Sequence, residues 1–186
     1  MSERTRWQRV AKRIRVPLGF VFAAVFLWLA RPTWQTMGLS LLLVVPGVWL
    51  RGYAAGYVRK NTELTRTGPY AHTRNPLYLG SMMIAFGFAA AAGSWAILIA
   101  LTALFAAIYW PTIKGEEAYL REHFAGFDEY ARRVPRLLPR LTAAATDDAK
   151  GSFSSNLYMH HREYNASMGA IAIYAALAIK MVLLQR

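Results

Sequence analysis

No cysteine occurs in the 186-residue chain. Disulfides, thiolate catalysis and Cys-ligated metal sites are therefore excluded. Acidic side chains are scarce: ten Asp and Glu stand against 22 Lys and Arg, a net charge of +12. The basic residues lie between apolar runs rather than in one block. A nucleic-acid partner would explain the charge but leave the apolar runs without a role, whereas contact with anionic lipid explains both. No small-x-small cleavage site follows the first apolar run and more runs come after it, so it reads as a retained helix rather than a leader. His160-His161 with Glu163 lacks the further ligands that an ion needs, and no metal site is expected. There is no internal repeat.

What the chain has instead is length of apolar sequence. Hydrophobic residues make up 55%, and they cluster into runs long enough to read as membrane spans. Residues 4–15 carry Arg4, Arg6, Arg9, Lys12, Arg13 and Arg15, with Trp7, Val10 and Ile14 on one helical face. This pattern predicts an interfacial helix. Spans are expected at Val16–Ala30, from Trp34 through Leu50 toward Tyr57, at Leu77–Ala91, at Trp95–Ile113 and at Ala166–Leu184. A polar segment covers 59–75, a charged and partly helical one 114–140, and a linker 141–156. The expectation is one all-α domain over 1–186, a polytopic bundle of about five membrane helices. Its motif core is 59–140 and its C-terminal helix lies within 157–186.

Orientation follows from the distribution of Lys and Arg. With five spans, the basic N-terminus, the 59–75 loop and the 114–163 segment share one side, expected to be the cytoplasm of a bacterial inner-membrane protein. The opposite loops, 31–34 and 92–94, hold a single Arg.

Two patches flank the apolar hairpin of the third and fourth spans. The first is Gly68-Pro69-Tyr70-Ala71-His72-Thr73-Arg74-Asn75-Pro76-Leu77-Tyr78. The second opens on Glu116-Glu117 and closes on Val134-Pro135-Arg136. A hairpin returns the chain to the side it left, so the patches meet at one membrane surface. Ionisable groups gathered beside a bilayer need a partner, and a small charged cofactor is a candidate. Adjacent carboxylates on a helix point in different directions: one is free to bind a ligand while the other holds an Arg. Arg51 sits near the inner end of the second span, where it snorkels or reaches a headgroup or cofactor. Tyr158, His161, Glu163 and Asn165 precede the last span on the same side and are candidates to line an acceptor's entrance.

In order and spacing the two patches resemble the isoprenylcysteine carboxyl methyltransferase family and the related phospholipid N-methyltransferases. The shared positions are Gly68, Tyr70, Arg74, Pro76, Tyr78, Gly80, Glu116, Glu117, Leu120, Tyr130, Val134 and Pro135. The resemblance implies S-adenosylmethionine held between the 64–78 loop and the 116–136 segment. Leu64, Thr67, Gly68, Tyr70, His72, Arg74, Asn75, Pro76, Tyr78 and Leu79 would stand on one side. Glu116, Glu117, Tyr130, Val134, Pro135 and Arg136 would stand on the other, with Arg74, Asn75, Glu116 and Glu117 as the catalytic group. It also implies a lipophilic methyl acceptor drawn from the bilayer, with an amine or a carboxylate as the reacting group. Asn75 stands where the family usually has His, and Phe124-Ala125-Gly126-Phe127 departs from its Phe-Gly-x-x-Tyr spacing. Some membrane sterol reductases share parts of the pattern and use a reduced nicotinamide cofactor. That reading, and a non-catalytic protein with a degenerate pocket, stay open at this point.

Overall fold

The computed structural model describes residues 22–59, 62–144 and 151–184, and every regular element among them is helical. The interfacial helix expected over 4–15 lies outside the described residues. So do 16–21 of the first expected span, of which 22–29 form helix α1. Helix α2 spans Trp34–Ala55. Thr33 starts it with a reciprocal cap, its hydroxyl accepting from the Thr36 N–H at 3.1 Å while the Thr36 hydroxyl accepts from the Thr33 N–H at 3.0 Å. A short 3-10 turn at Gly68–Ala71 leads to α3, Pro76–Ala92. Pro76 suits the first turn because its missing N–H has no helical partner to lose. Gly93 ends α3 at φ +59, where a Cβ would stand 2.8 Å from the Arg31 carbonyl oxygen.

Helix α4, Trp95–Leu104, runs through a π turn at Phe105–Tyr109 into α5, Trp110–His123. The three form one 29-residue rod, ten residues longer than the fourth expected span. Nothing between Ile113 and His123 breaks it: Glu116, Glu117, Leu120 and Arg121 are good helix formers. Helices α6, Phe127–Arg133, α7, Ser155–His160, and α8, Tyr164–Leu184, complete the fold.

Three of these helical stretches are long and apolar enough to cross a membrane: Trp34–Ala55, Trp95–His123 and Tyr164–Leu183. At 17 residues α3 is shorter. It rises about 25 Å, against roughly 30 Å of hydrocarbon. Its ends are fixed by Pro76 and the left-handed Gly93, and it runs one residue beyond each end of the expected Leu77–Ala91. Of the five expected spans, the second, fourth and fifth correspond to these three stretches and the third to the shorter apolar α3; the first lies partly outside the described residues. Large apolar side chains face outward along these helices, including Trp34, Leu42, Trp49, Ile99 and Ile171. In water they would be a liability; against lipid they are matched. The chain is a multi-pass membrane protein.

Helices α2 and α3 pack almost backbone to backbone. A Cβ on Gly47 would meet the Gly80 carbonyl oxygen at 2.9 Å, and one on Gly80 would meet Gly47 O at 2.8 Å and Arg51 Cγ at 2.7 Å. Small residues permit such approach where no hydrophobic effect drives helices together. Behind this seam a core forms from Phe26, Met37, Val44, Phe88, Ile97, Leu177 and Met181. One end of the bundle is tied by Arg31 N–H to Ala92 O at 2.6 Å and by Lys180 Nζ on the last carbonyls of α1, Trp28 O at 3.1 Å among them. The two motif patches lie at the other end.

Gly47→Val or Gly80→Val is expected to destabilise the protein by about 1–3 kcal/mol through overpacking of this seam. Gly38→Ala, where nothing lies within 4 Å, should be neutral or stabilising. Thermal unfolding in lipid nanodiscs distinguishes the three variants.

Candidate functional site

The site is organised around one carboxylate. Glu117 lies on α5 and is 4% exposed. Arg136 grips it side-on, with Nε 3.1 and 3.0 Å from the two carboxylate oxygens and Nη2 2.8 Å from Oε2. Arg74 Nη2 reaches Oε1 at 3.3 Å, and Asn75 Nδ2 donates to the same oxygen at 3.3 Å. The local chain enforces this convergence. Tyr109, Ile113 and Glu117 fall at intervals of four residues on one face of the rod, and Ile113 is fully buried beneath Glu117. Asn75 is the cap residue before α3, and its amide also donates to Arg136 O at 2.9 Å.

The segment after α6 is stitched to the loop before α3 by backbone hydrogen bonds. Arg74 N–H donates to Pro135 O at 2.9 Å, Arg140 N–H to His72 O at 3.0 Å, and Ala144 N–H to Ala71 O at 2.9 Å. Thr73, 1% exposed, donates its hydroxyl to Leu137 O at 3.0 Å. Tyr130 donates to Tyr70 O at 2.8 Å. Burial pushes both the Tyr70 and the Tyr130 hydroxyls up from their ordinary value, so both stay protonated. Gly68, at φ +59, lets the loop lie on the Tyr57 ring; a Cβ there would stand 2.5 Å from it.

The two arginines on Glu117 are not equivalent. Arg136 is a third exposed, and its hydrogen bonds to Glu117 raise its pKa. Arg74 is only 10% exposed; burial lowers its pKa, with Glu117 acting in the opposite direction. The Arg74 guanidinium lies 5.9 Å from the centroid of Phe127, which is itself buried. Its Nε is buried with no hydrogen-bond partner. Arg74 is thus an ion-paired cation that keeps one unused donor.

Arg74 lines a cavity of about 410 Å³ at this end of the bundle. Of the residues singled out from sequence, Leu64, Tyr70, Asn75, Pro76, Tyr78, Glu116 and Glu117 also line it, with Tyr130, Arg51 and Glu163. Thr67, Gly68, His72, Leu79, Val134, Pro135 and Arg136 stand outside its wall. His72 Nδ1 is 2.9 Å from Arg140 O, Val134 is 1% exposed, and Arg136 acts through Glu117. Tyr158 packs on Gly52, His161 Nε2 lies 3.2 Å from Val58 O, and Asn165 faces a second, apolar cavity. Glu116 is exposed and accepts from the Tyr78 hydroxyl at 2.8 Å. Sequence reasoning missed Ser81, Tyr109 and Phe127 in the wall. Tyr109 was findable, since it is two helical turns before Glu117 on the same face. The π turn beside it sets its ring stacked on Phe105 at 4.4 Å and edge-on to Tyr78 at 5.5 Å. Ser81 had no local signal.

The arrangement offers a cation with a spare donor, an exposed carboxylate and several aromatic faces in one partly enclosed space. Such a set suits a zwitterionic or cationic small molecule.

The sequence model of the phospholipid methyltransferase family matches residues 34–126. The chain is 36% identical over 120 residues to the nickel-cobalt-cadmium resistance protein NccN of Alcaligenes xylosoxydans xylosoxydans, covering 62% of this chain and 55% of that protein. It is 34% identical over 139 residues to the cobalt-zinc-cadmium resistance protein CzcN of Cupriavidus metallidurans, covering 69% of this chain and 62% of that protein. The chain therefore spans between about half and two thirds of the length of these curated relatives. No solved structure matches it significantly.

Glu117→Gln keeps the side chain's shape and removes the charge that balances Arg74. A loss of about 3–5 kcal/mol is expected, the range for breaking a buried pair. Asn75→Leu should cost about 1–3 kcal/mol by leaving Arg136 O and Glu117 Oε1 each one donor short. Asn75→His should cost less, because the imidazole can donate in its place. Denaturant titration in detergent micelles ranks the three.

Proposed function

The chain belongs to the phospholipid methyltransferase family, and from that premise we propose that it is an integral membrane methyltransferase using S-adenosylmethionine on a lipid-like acceptor. The observation that carries the reading is the buried, unpartnered Nε of Arg74 in the wall of a cavity that also holds an exposed carboxylate. A cofactor with one carboxylate, one amino group and one sulfonium fits this donor set. Arg74 would take the carboxylate, Glu116 the amino group, and the Tyr78 and Tyr109 faces the cationic centre. When bound, S-adenosylmethionine supplies an electrophilic methyl group with a neutral leaving group.

The protein's contribution is placement. Glu117 fixes Arg74 and Arg136, and so fixes the loop and the segment that carry them. Asn75 locks that geometry by bridging Glu117 and the Arg136 carbonyl. Buried Tyr70, Phe127 and Tyr130 keep water from one side of the cavity. Positioning and water exclusion are the main needs of a displacement of this kind. We place the site on the cytoplasmic side, because the basic loops lie at its end of the bundle.

The relatives' names speak of resistance to nickel, cobalt, zinc and cadmium. They favour a role in metal tolerance for this chain as well. Among the described residues no group of three His, Asp or Glu side chains converges. In the methyltransferase reading, tolerance would arise from a methylated envelope component.

Purified protein should bind S-adenosylmethionine and not NADPH in a calorimetric titration. Inverted membrane vesicles should transfer labelled methyl groups from added cofactor to a lipid extract, and right-side-out vesicles should not. Binding of NADPH alone would move the chain to the reductase class, and transfer confined to right-side-out vesicles would reverse the orientation.

A further inference from the structure

Four exposed tryptophans mark two levels along the bundle: Trp34 and Trp49 on α2, Trp95 and Trp110 on the long rod. Each pair is fifteen residues apart with no charged residue between its members, about 22 Å along a helix. Tryptophans gather where hydrocarbon gives way to headgroups. Trp34 and Trp95 stand at the end tied by Arg31 and Ala92. Trp49 and Trp110 stand at the end that carries the charged cavity. Lys114, one turn beyond Trp110, is the first charge on the rod and lies at headgroup level.

Two cations converge on the Trp110 ring. Lys114 Nζ lies 5.5 Å from its centroid and Arg136 Cζ 5.2 Å. Neither charge is fully balanced. Glu117 takes Arg136 through Nε and Nη2, which leaves Nη1 outside that grip. The same carboxylate also serves Arg74, so one negative charge faces two guanidiniums. Lys114 is exposed and has no carboxylate partner among the described residues. Trp110, Lys114 and Arg136 are not part of the wall of the charged cavity. They make a separate patch outside it, with surplus positive charge around one aromatic ring.

We propose that Lys114 and Arg136, beside the Trp110 ring, bind the phosphate of an anionic phospholipid in the surrounding leaflet. An ammonium and the free end of a guanidinium supply N–H donors to the phosphate oxygens. The guanidinium is held in place by Glu117, while the exposed lysine is free to close on the ligand. Leu104 and Ile108, which precede Trp110 on the rod, are exposed and face the acyl region below the headgroup. A zwitterionic headgroup brings its own ammonium and gains less from two cations; a net anionic one matches the surplus charge. The lipid held here is a boundary lipid and not a methyl acceptor, because the patch lies outside the cavity where transfer is placed.

The test titrates the full chain in detergent micelles with dioleoylphosphatidylglycerol or dioleoylphosphatidylcholine and reads bound lipid by native mass spectrometry. Phosphatidylglycerol has neither amine nor carboxylate, so its retention does not report an acceptor. It should bind at least tenfold more tightly than phosphatidylcholine. Lys114→Gln and Trp110→Leu should each weaken it at least fivefold. Arg132→Gln removes an exposed charge from the same end of the protein and should leave it within twofold. Equal affinity for the two lipids would overturn the site. So would equal losses in Lys114→Gln and Arg132→Gln, which would reduce the effect to net charge. Displacement of the lipid by millimolar inorganic phosphate would assign the cations to free phosphate and overturn the lipid. None of these readouts uses S-adenosylmethionine, so their failure is distinct from failure of the methyltransferase reading.

Discussion

A carboxylate withdrawn from water has to be balanced, and in this protein the balancing of Glu117 determines where everything else stands. Arg74, Arg136 and Asn75 converge on it from two separate stretches of chain. Burying an unpaired charge costs several kcal/mol even after relaxation. The loop before α3 and the segment after α6 are therefore constrained to meet over α5. The backbone bonds from Arg74, Arg140 and Ala144 follow from that meeting and hold the cap in register. The apolar helices provide a frame, but the charged cluster decides the shape of the space at its end.

The cluster is also uneven in a useful way. Arg136 satisfies Glu117 with three close contacts from a partly exposed position. Arg74 is left more deeply buried, with a longer contact and a donor to spare. A site that binds anions needs a cation that is fixed but not saturated. Glu117 with Arg136 does the fixing, and Arg74 keeps its buried Nε without a partner. Arg51 is ordered likewise across the cavity, paired with Glu163 through Nε and Nη2 and bonded to the Ser81 hydroxyl through Nη1. Two ordered arginines thus face one space from the second helix and from the loop before the third.

Much of this was legible in the sequence, and the reasons are local. Glu116 and Glu117 are neighbours on a helix, so they had to diverge; one is buried on arginines and the other exposed beside Tyr78. The hairpin between the two patches had to bring Arg74 and Glu117 to the same end. The four-residue stripe Tyr109–Ile113–Glu117 was equally readable and marks a wall residue that composition alone hides. Helix ends were unevenly legible. The ends of α3, set by Pro76 and the left-handed Gly93, came within one residue of expectation, whereas the rod ending at His123 ran ten residues past the expected Ile113. The contact between Arg51 and Glu163 had no local signature at all, since 112 residues separate the two. Such pairs become visible only when packing places the last helix against the second.

The central claim is that Glu117 orders Arg74 for the cofactor rather than merely lying beside it. A double-mutant cycle on S-adenosylmethionine affinity tests this directly, with Arg74→Gln, Glu117→Gln and the double variant measured by calorimetry. If one residue acts through the other, the two single losses should not add, and the coupling should exceed about 1 kcal/mol, well above the few tenths typical of independent sites. Losses that add within that error would mean that Glu117 and Arg74 serve separate ends, and the account of the site as one charge-balanced unit would be wrong.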